Sequence, residues 1–352
     1  MIRVGLVGFG MAGRVFHAPL ISSVEGLELA AVVERNSDNA AKLYPNVKTC
    51  RSLDELLGDS SIKLVVVATP NNTHFEVALR VLEAARNVVV DKPTGVTSSE
   101  IQQLMELAGG IGLQFIPFHN RRWDSDFRTI QQVLLEKSLG HLVHLQSTFD
   151  RWRPGASSRA WKDDAEQGGT LLDLGTHIVD QALTLFGEPD SIGAEVLRER
   201  NGEGGNDSFT LRLHYLTGFT ATLSANCLSS IPRPRFHLRG TKGNYLKWGL
   251  DPQEDALGKI TRIDSPDWGT EPADRWGTLR VETDENIVTQ PVQPTPGDYR
   301  LFYAGVRDAL LGNAKPPVAA IDAWRTARLL EWALESSKTH RNVECDWIAA
   351  PV

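Results

Sequence analysis

Residues 2–13, I-R-V-G-L-V-G-F-G-M-A-G, constrain this chain more than any other stretch. They predict a buried strand, a tight glycine turn and the start of a helix. Gly8, Gly10 and Gly13 stand at the spacing G-x-G-x-x-G, with Phe9, Met11 and Ala12 between them. Each glycine has its own reason. The first makes the turn, the second leaves bare backbone for a pyrophosphate, and the third lets helix and strand pack closely. The following helix points its free amides and positive dipole end at the phosphates. Glycine triplets also occur as plain structural turns. The position directly after an apolar N-terminal strand favours dinucleotide binding.

The pattern then alternates. Residues 27–33 read as a second buried strand, ending at Glu34 and Arg35. An acid about 20 residues past the glycine motif accepts hydrogen bonds from the adenosine ribose and repels a 2′-phosphate, whereas Arg35 would attract one. The pair points both ways, to NAD or NADP, and Glu34 tips the balance toward NAD. A short helix is expected at 53–57. Residues 63–68 are a third strand, apolar enough to be buried on both faces. Its carboxyl end, Thr69-Pro70-Asn71, lies where ligands bind in such sheets. Thr73 can cap a helix at 74–85. His74 is either a ligand contact or, more commonly for such a position, a packed histidine. Strand 87–91 ends at Lys92-Pro93, a bond that can be cis. A helix at 97–108 and a strand at 113–118 complete a doubly wound parallel sheet, giving a Rossmann domain over residues 1–120.

Residues 121–165 are rich in Arg, Trp and Asp, and strands then follow one another at 189–197, 207–215, 218–227, 234–239 and 244–248. Residues 250–275 and 291–297 read as loops, and helices at 298–311 and 319–341 close the chain. Residues 121–352 therefore form an α+β domain on a mixed or mostly antiparallel open sheet. The net charge of -7 gives no basic face for nucleic acid. Three scattered cysteines support neither a disulfide framework nor a zinc site, and a reducing cytoplasm is the simplest setting. No run approaches the length of a membrane span, and the N-terminal strand is no signal peptide.

Lys92, at the carboxyl end of a parallel strand, can hydrogen-bond a substrate hydroxyl and lower its pKa; a plain surface lysine is the alternative. Asp173 and His177 are four apart on one helix face, and Asp180 can reach His177 from behind. A histidine there can take a proton, with a carboxylate beside it to orient the ring. A buried polar face without chemistry is the bland reading. A metal lacks third and fourth ligands nearby. Residues 118–127, including Asn120, Arg121 and Trp123, suit either a polyhydroxylated ligand or an ion-pair network between domains. Arg151, Trp152, Arg153, Arg159 and Trp161 can wall the same cleft.

Assembled, the glycine turn, Asp91-Lys92-Pro93 and the Asp173…His177 helix resemble the glucose–fructose oxidoreductase/inositol dehydrogenase/MocA (Gfo/Idh/MocA) family over nearly the whole chain. Asp91 stands where the family often has Glu. The resemblance implies a Rossmann domain, a C-terminal domain with a large open sheet used for oligomerisation as a homodimer or homotetramer, and a catalytic group of Lys92, Asp173 and His177. Residues 16–20, 119–127 and 249–254 are similar to the bacterial scyllo-inositol dehydrogenase-like branch. There, NADP users tend to have Ser, not an acid, at position 34. The expected function is NAD(P)-dependent hydride transfer at a secondary alcohol of a cyclic polyol or sugar. Trp123, Trp152 and Trp161 would join Lys92, Asn120, Arg121, Asp173 and His177 on the substrate, while Thr69, Pro70, Asn71 and His74 would face the cofactor. A silent dinucleotide-binding regulator and a keto-sugar or dihydrodiol oxidoreductase are the alternatives.

Overall fold

The computed structural model describes residues 1–155, 168–200, 204–259, 263–283 and 286–349. Its first sheet contains β1 (Ile2–Val7), β2 (Leu27–Val33), β3 (Lys48–Cys50), β4 (Ile62–Val67), β5 (Asn87–Val90) and β6 (Phe115–Pro117). All neighbours run parallel, in the order β3-β2-β1-β4-β5-β6. That is the doubly wound order, whose crevice opens between β1 and β4. Strand alternation explains the burial. Leu64 and Val66 of β4 face one core and Val65 and Val67 the other, all fully buried. Each such side chain contributes roughly 1.5–3 kcal/mol relative to exposure.

Helices cover both faces. Residues 11–23 form one helix, with a π-helical turn at Gly13–His17 running into α1 (Ala18–Ser23). Next come α2 (Asn39–Leu43), α3 (Leu53–Leu57), α4 (His74–Glu83) and α5 (Ser98–Gly110). Thr97 and Glu100 form a reciprocal capping box on α5. Thr73 stands at the N-cap position of α4 but does not cap it. Its hydroxyl is spent on Thr69 and the Pro70 carbonyl.

The second sheet has nine strands, in the order β14-β13-β12-β11-β7-β10-β9-β8-β15. Four of its strands lie where only loops or a polar stretch were expected or nothing was assigned: β7 (Leu142–Thr148), β13 (Gly277–Glu282), β14 (Ile287–Val292) and β15 (Val343–Glu344). The other five are β8 (Ser191–Leu197), β9 (Ser208–His214), β10 (Thr220–Asn226), β11 (Phe236–Gly240) and β12 (Gly243–Lys247). Only β7 and β10 pair parallel; every other pairing is antiparallel. Alternation leaves one face for the core: Phe209, Leu211 and Leu213 are buried while Thr210 and Arg212 are exposed.

Further helices are α6 (Ser125–Leu135), α7 (Thr176–Phe186), α8 (Gln253–Gly258), α9 (Arg300–Leu310) and α10 (Ala320–Thr339). The last two return to the first domain. Phe302, Tyr303 and Val306 of α9 pack into one face of the Rossmann core. Ala323, Trp324 and Ala327 of α10 pack into the other, while its Leu329, Leu330 and Trp332 join the core of the second sheet. One helix thus belongs to both cores and fixes the wall that carries α7 against the wall that carries Lys92.

Candidate active site

A cleft of about 1340 Å³ opens at the β1/β4 crevice and runs to the start of α7. It exceeds an ordinary small-molecule pocket of roughly 300–1,000 Å³ and has room for a dinucleotide and a second ligand. The glycine turn forms one end. Gly8 has φ +99°, and a Cβ there would meet the Ala68 carbonyl oxygen at 2.6 Å. A Cβ on Gly13 would lie 2.1 Å from the Gly8 carbonyl oxygen, so helix and turn touch there. At Gly10 a Cβ would meet nothing within 4 Å. That bare backbone facing the cleft is the cradle a pyrophosphate requires, and the residues present fit a dinucleotide.

Gly8, Phe9, Gly10, Met11, Ala12, Glu34, Arg35, Thr69, Pro70 and Asn71 line this half. Gly13 lies behind the turn. His74 is also turned away from the cleft. It is buried, with Nδ1 2.8 Å from the Pro93 carbonyl and Nε2 2.8 Å from the Thr69 carbonyl, and so ties two ligand loops together. Glu34 is buried. Its carboxylate accepts from the Ser37 hydroxyl at 2.6 Å and the Ala40 amide at 2.7 Å. Arg35 is exposed on the same rim.

The other half is lined by Lys92, Asn120, Arg121, Asp173 and His177, from both domains. Lys92 follows β5, and its bond to Pro93 is cis. Its ammonium donates to the Asp173 carboxylate at 2.6 Å and to the Asp173 carbonyl at 2.9 Å. An ammonium has three hydrogens, so one remains for an oxygen in the cleft. Asp173 sits in a second π-helical turn, Leu171–Gly175, a distortion that recurs at functional sites. Burial, and then the charges of Lys92 and Arg121, hold the His177 imidazole well below its ordinary value, against the opposing pull of Asp173. The ring is therefore neutral, and its Nδ1 has no partner among the described residues.

Asp180 does not support His177. Its carboxylate is taken by Arg122, at 2.9 and 2.6 Å, and Arg122 also reaches Asp322. Five of residues 118–127 form such a network: beside Arg122, Arg121 pairs with Asp124 and Glu254, Asp126 with Arg235, and the Ser125 amide donates to Asp251. Trp123 packs on Phe302 inside the Rossmann core rather than in the cleft. Trp152 is exposed outside it, while Arg159 and Trp161 lie outside the described residues. Arg151 and Arg153 line the cleft as their loop suggested, and the cleft also takes Asp91 and Glu254, to which the residues themselves gave no role there. Asp91 accepts from its neighbour's amide, Lys92 N, at 2.7 Å and lies 3.6 Å from His17 Nε2, whose Nδ1 is 2.6 Å from the Tyr303 hydroxyl. Burial raises the Asp91 carboxyl, but His17, Lys92 and His74 outweigh it and lower it. No group of three or more His, Cys, Asp or Glu suited to a metal occurs among the described residues. No helix among them is long and apolar enough to cross a membrane.

A glycine-turn Rossmann sheet facing a lysine, a carboxylate and a neutral histidine across one cleft defines a dinucleotide-dependent oxidoreductase. The family model for an oxidoreductase NAD-binding Rossmann fold matches residues 2–119, and that for the C-terminal alpha/beta domain matches residues 132–345. The chain belongs to the Gfo/Idh/MocA oxidoreductase family. It is 40% identical over 346 residues to YdgJ, an uncharacterized oxidoreductase of Escherichia coli, covering 98% of each. It is 31% identical over 342 residues to a scyllo-inositol 2-dehydrogenase (NADP(+)) of Bacillus subtilis, covering 97% of this chain and 95% of the relative. The solved structure of a Yersinia pestis protein, 40% identical, superposes with a TM-score of 0.92 over 98% of this chain and 97% of that one.

Proposed function

We propose that the protein transfers a hydride between NAD(P) and a secondary alcohol or ketone of a cyclic polyol or sugar. The observation that carries this reading is the meeting of Lys92, Asp173 and His177 in the cleft that begins at the glycine turn. When bound, the nicotinamide supplies the hydride acceptor or donor. Neutral His177 accepts the hydroxyl proton in oxidation and returns it in reduction. The remaining hydrogen of Lys92 donates to the same oxygen and stabilises its developing negative charge. Asp173 fixes Lys92 and anchors a neighbouring hydroxyl.

The cofactor preference follows from the surroundings of Glu34. Alone, that acid favours NAD. Ser37 and Ala40 already take two of its roughly four acceptor positions, and exposed Arg35 beside it suits a 2′-phosphate. NADP is therefore the better fit, as the name of the Bacillus relative states for that enzyme. A cytoplasmic setting and assembly as a homodimer or homotetramer complete the reading.

The test is the absorbance of reduced nicotinamide with inositols, sugars and diols, run with NAD and NADP in parallel. Turnover of a polyol or sugar supports the reading, and a KM at least tenfold lower for NADP supports the preference. No turnover with any of them, with tight cofactor binding by calorimetry, would identify a regulator instead.

A further inference from the structure

The substrate half of the cleft pairs its charges unevenly: the close carboxylates go to two of its cations and not to the other two. Four cations line it, Lys92, Arg121, Arg151 and Arg153. Lys92 is paired with Asp173, and Arg121 with Glu254 and Asp124. The remaining lining carboxylate, Asp91, is turned to His17. Arg151 is left with one carboxylate contact, 3.7 Å from the Asp173 oxygen that Lys92 does not use. Its guanidinium side chain is only 18% exposed. Beside it, Arg153 is exposed and has no side-chain partner among the described residues.

The position of Arg151 is built. Its backbone amide donates to the Asn226 carbonyl at 2.8 Å and its own carbonyl accepts from the Ser229 amide at 3.1 Å. Its guanidinium lies over the Phe149 ring at 5.0 Å, and that of Arg121 over the same ring at 4.9 Å. Burial, and the nearby Arg153 and Arg121, push the Arg151 guanidinium below its ordinary value despite Asp173 and Glu254. Arginine nonetheless stays charged. A largely covered cation held on a rigid platform, with one carboxylate at 3.7 Å, gains from an anion that completes it, and a guanidinium fork matches carboxylate and phosphate oxygens.

We infer that the substrate bears an oxyanion substituent, a carboxylate or a phosphate, which Arg151 and Arg153 receive beside the Lys92–Asp173 pair. This rests on the proposed hydride transfer at a sugar or polyol and names the class of substrate within it. Lys92 and His177 handle the reacting carbon, and the arginines hold the charged end. Arg151 and Arg153 are binding residues rather than catalytic ones.

The experiment uses matched pairs with the full-length protein: myo-inositol against its 1-phosphate, glucose against glucose 6-phosphate, and glucose against glucuronate. Oxidation is followed with NAD and NADP. The expected result is a kcat/KM at least tenfold higher for a charged member, carried by KM, with phosphate and carboxylate pairs separating the two oxyanions. Arg151→Gln and Arg153→Gln should each reduce the charged-to-neutral ratio at least threefold; Arg153 is exposed, so its variant tests the inference even if Arg151→Gln misfolds. Neutral members used as well as charged ones in every pair, or a ratio unmoved in the folded variants, would overturn it. If nothing is turned over, the hydride-transfer reading fails on that result. Calorimetric binding of the same pairs to the protein saturated with oxidised dinucleotide still decides the inference. Tighter binding of a charged member supports it, and equal or absent binding refutes it.

Discussion

Two lysine–carboxylate pairs in this molecule have almost the same length and opposite meanings. Lys247 lies 2.7 Å from Glu271, and both side chains are fully buried. Lys92 lies 2.6 Å from Asp173, with 18% and 26% of the two side chains exposed. The three ammonium hydrogens of Lys247 go to Glu271, the Trp248 carbonyl at 2.7 Å and the Arg275 carbonyl at 3.0 Å. Lys92 has two such bonds, both to Asp173. A buried pair with every hydrogen used is a tie between β12 and the segment before β13. A pair at the edge of a cleft, with one hydrogen unused, is set up to meet a ligand. Separation alone does not distinguish them; the unspent donor and the access to it do.

Exchanging lysine for methionine at each position breaks the comparison most directly. Lys247→Met leaves Glu271 as an uncompensated buried carboxylate and should cost about 3–5 kcal/mol of stability. Lys247→Met/Glu271→Gln should recover part of this. Urea unfolding measures both. Folded Lys247→Met protein should keep its kcat within about threefold, a margin well below the loss of a transition-state donor. Lys92→Met should do the reverse. Its kcat should fall about 10²–10³-fold, the usual consequence of losing one donor to a developing oxyanion, while its stability falls by less than half as much as in Lys247→Met. Equal losses of stability in the two variants would mean that Lys92 is one more structural tie.

A titration sharpens the same contrast. After burial, Lys92 is the largest influence holding the His177 imidazole down. The native ring therefore resists protonation at pH values where the unfolded chain, with a histidine near pH 6.5, takes up a proton. From this group, stability should be complete above about pH 6.5 and decline as the pH falls below it, because the unfolded state then binds more protons. Oxidation should likewise keep its base through the ordinary histidine range and lose it only at more acid pH. In Lys92→Met the His177 resonance, followed by NMR, should titrate at higher pH than in the parent. An unchanged midpoint would place the lysine charge elsewhere.

The first wall of the cleft was legible in the sequence because each of its parts has a local cause. Aliphatic runs such as residues 62–67 have few alternatives to a buried strand, and the glycine spacing states where backbone must approach backbone. Asp173 and His177 were legible through helical spacing, although the π-helical turn between them was not. The second wall was legible only as a composition: its arginines Arg121, Arg151 and Arg153 stood out, but their partners did not. Arg151 and Glu254 are far apart in sequence and meet Arg121 only because β7 lies parallel to β10 and α8 closes the loop over them. Nothing local separates Arg121, which faces the cleft, from Arg122, which is spent on Asp180 and Asp322. Trp123 shows the same limit. An aromatic residue in a polar stretch suits a sugar face, yet its ring answers to Phe302, contributed by a helix near the other end of the chain. The one early signal for Glu254 was the similarity of residues 249–254 to the same branch of the family, which marked the segment without giving its role.

The smallest effect serves as the control for Lys92. The loop that carries it is pinned at its far end by Glu100, whose carboxylate accepts from the Val96 amide at 2.7 Å as well as closing the capping box with Thr97. Thr97→Ala removes the threonine half of that box and should cost about 1 kcal/mol. It leaves the bond from Val96 to Glu100 in place, so kcat should stay within about twofold of the parent, a change well under 1 kcal/mol. Glu100→Ala removes the bonds its carboxylate accepts from the Val96 and Thr97 amides, keeps the Thr97 cap on the residue 100 amide, and should lower kcat further than Thr97→Ala at a similar loss of stability. Equal kcat values in the two variants would show that this anchor does not position Lys92, and that its pairing with Asp173 alone sets its place.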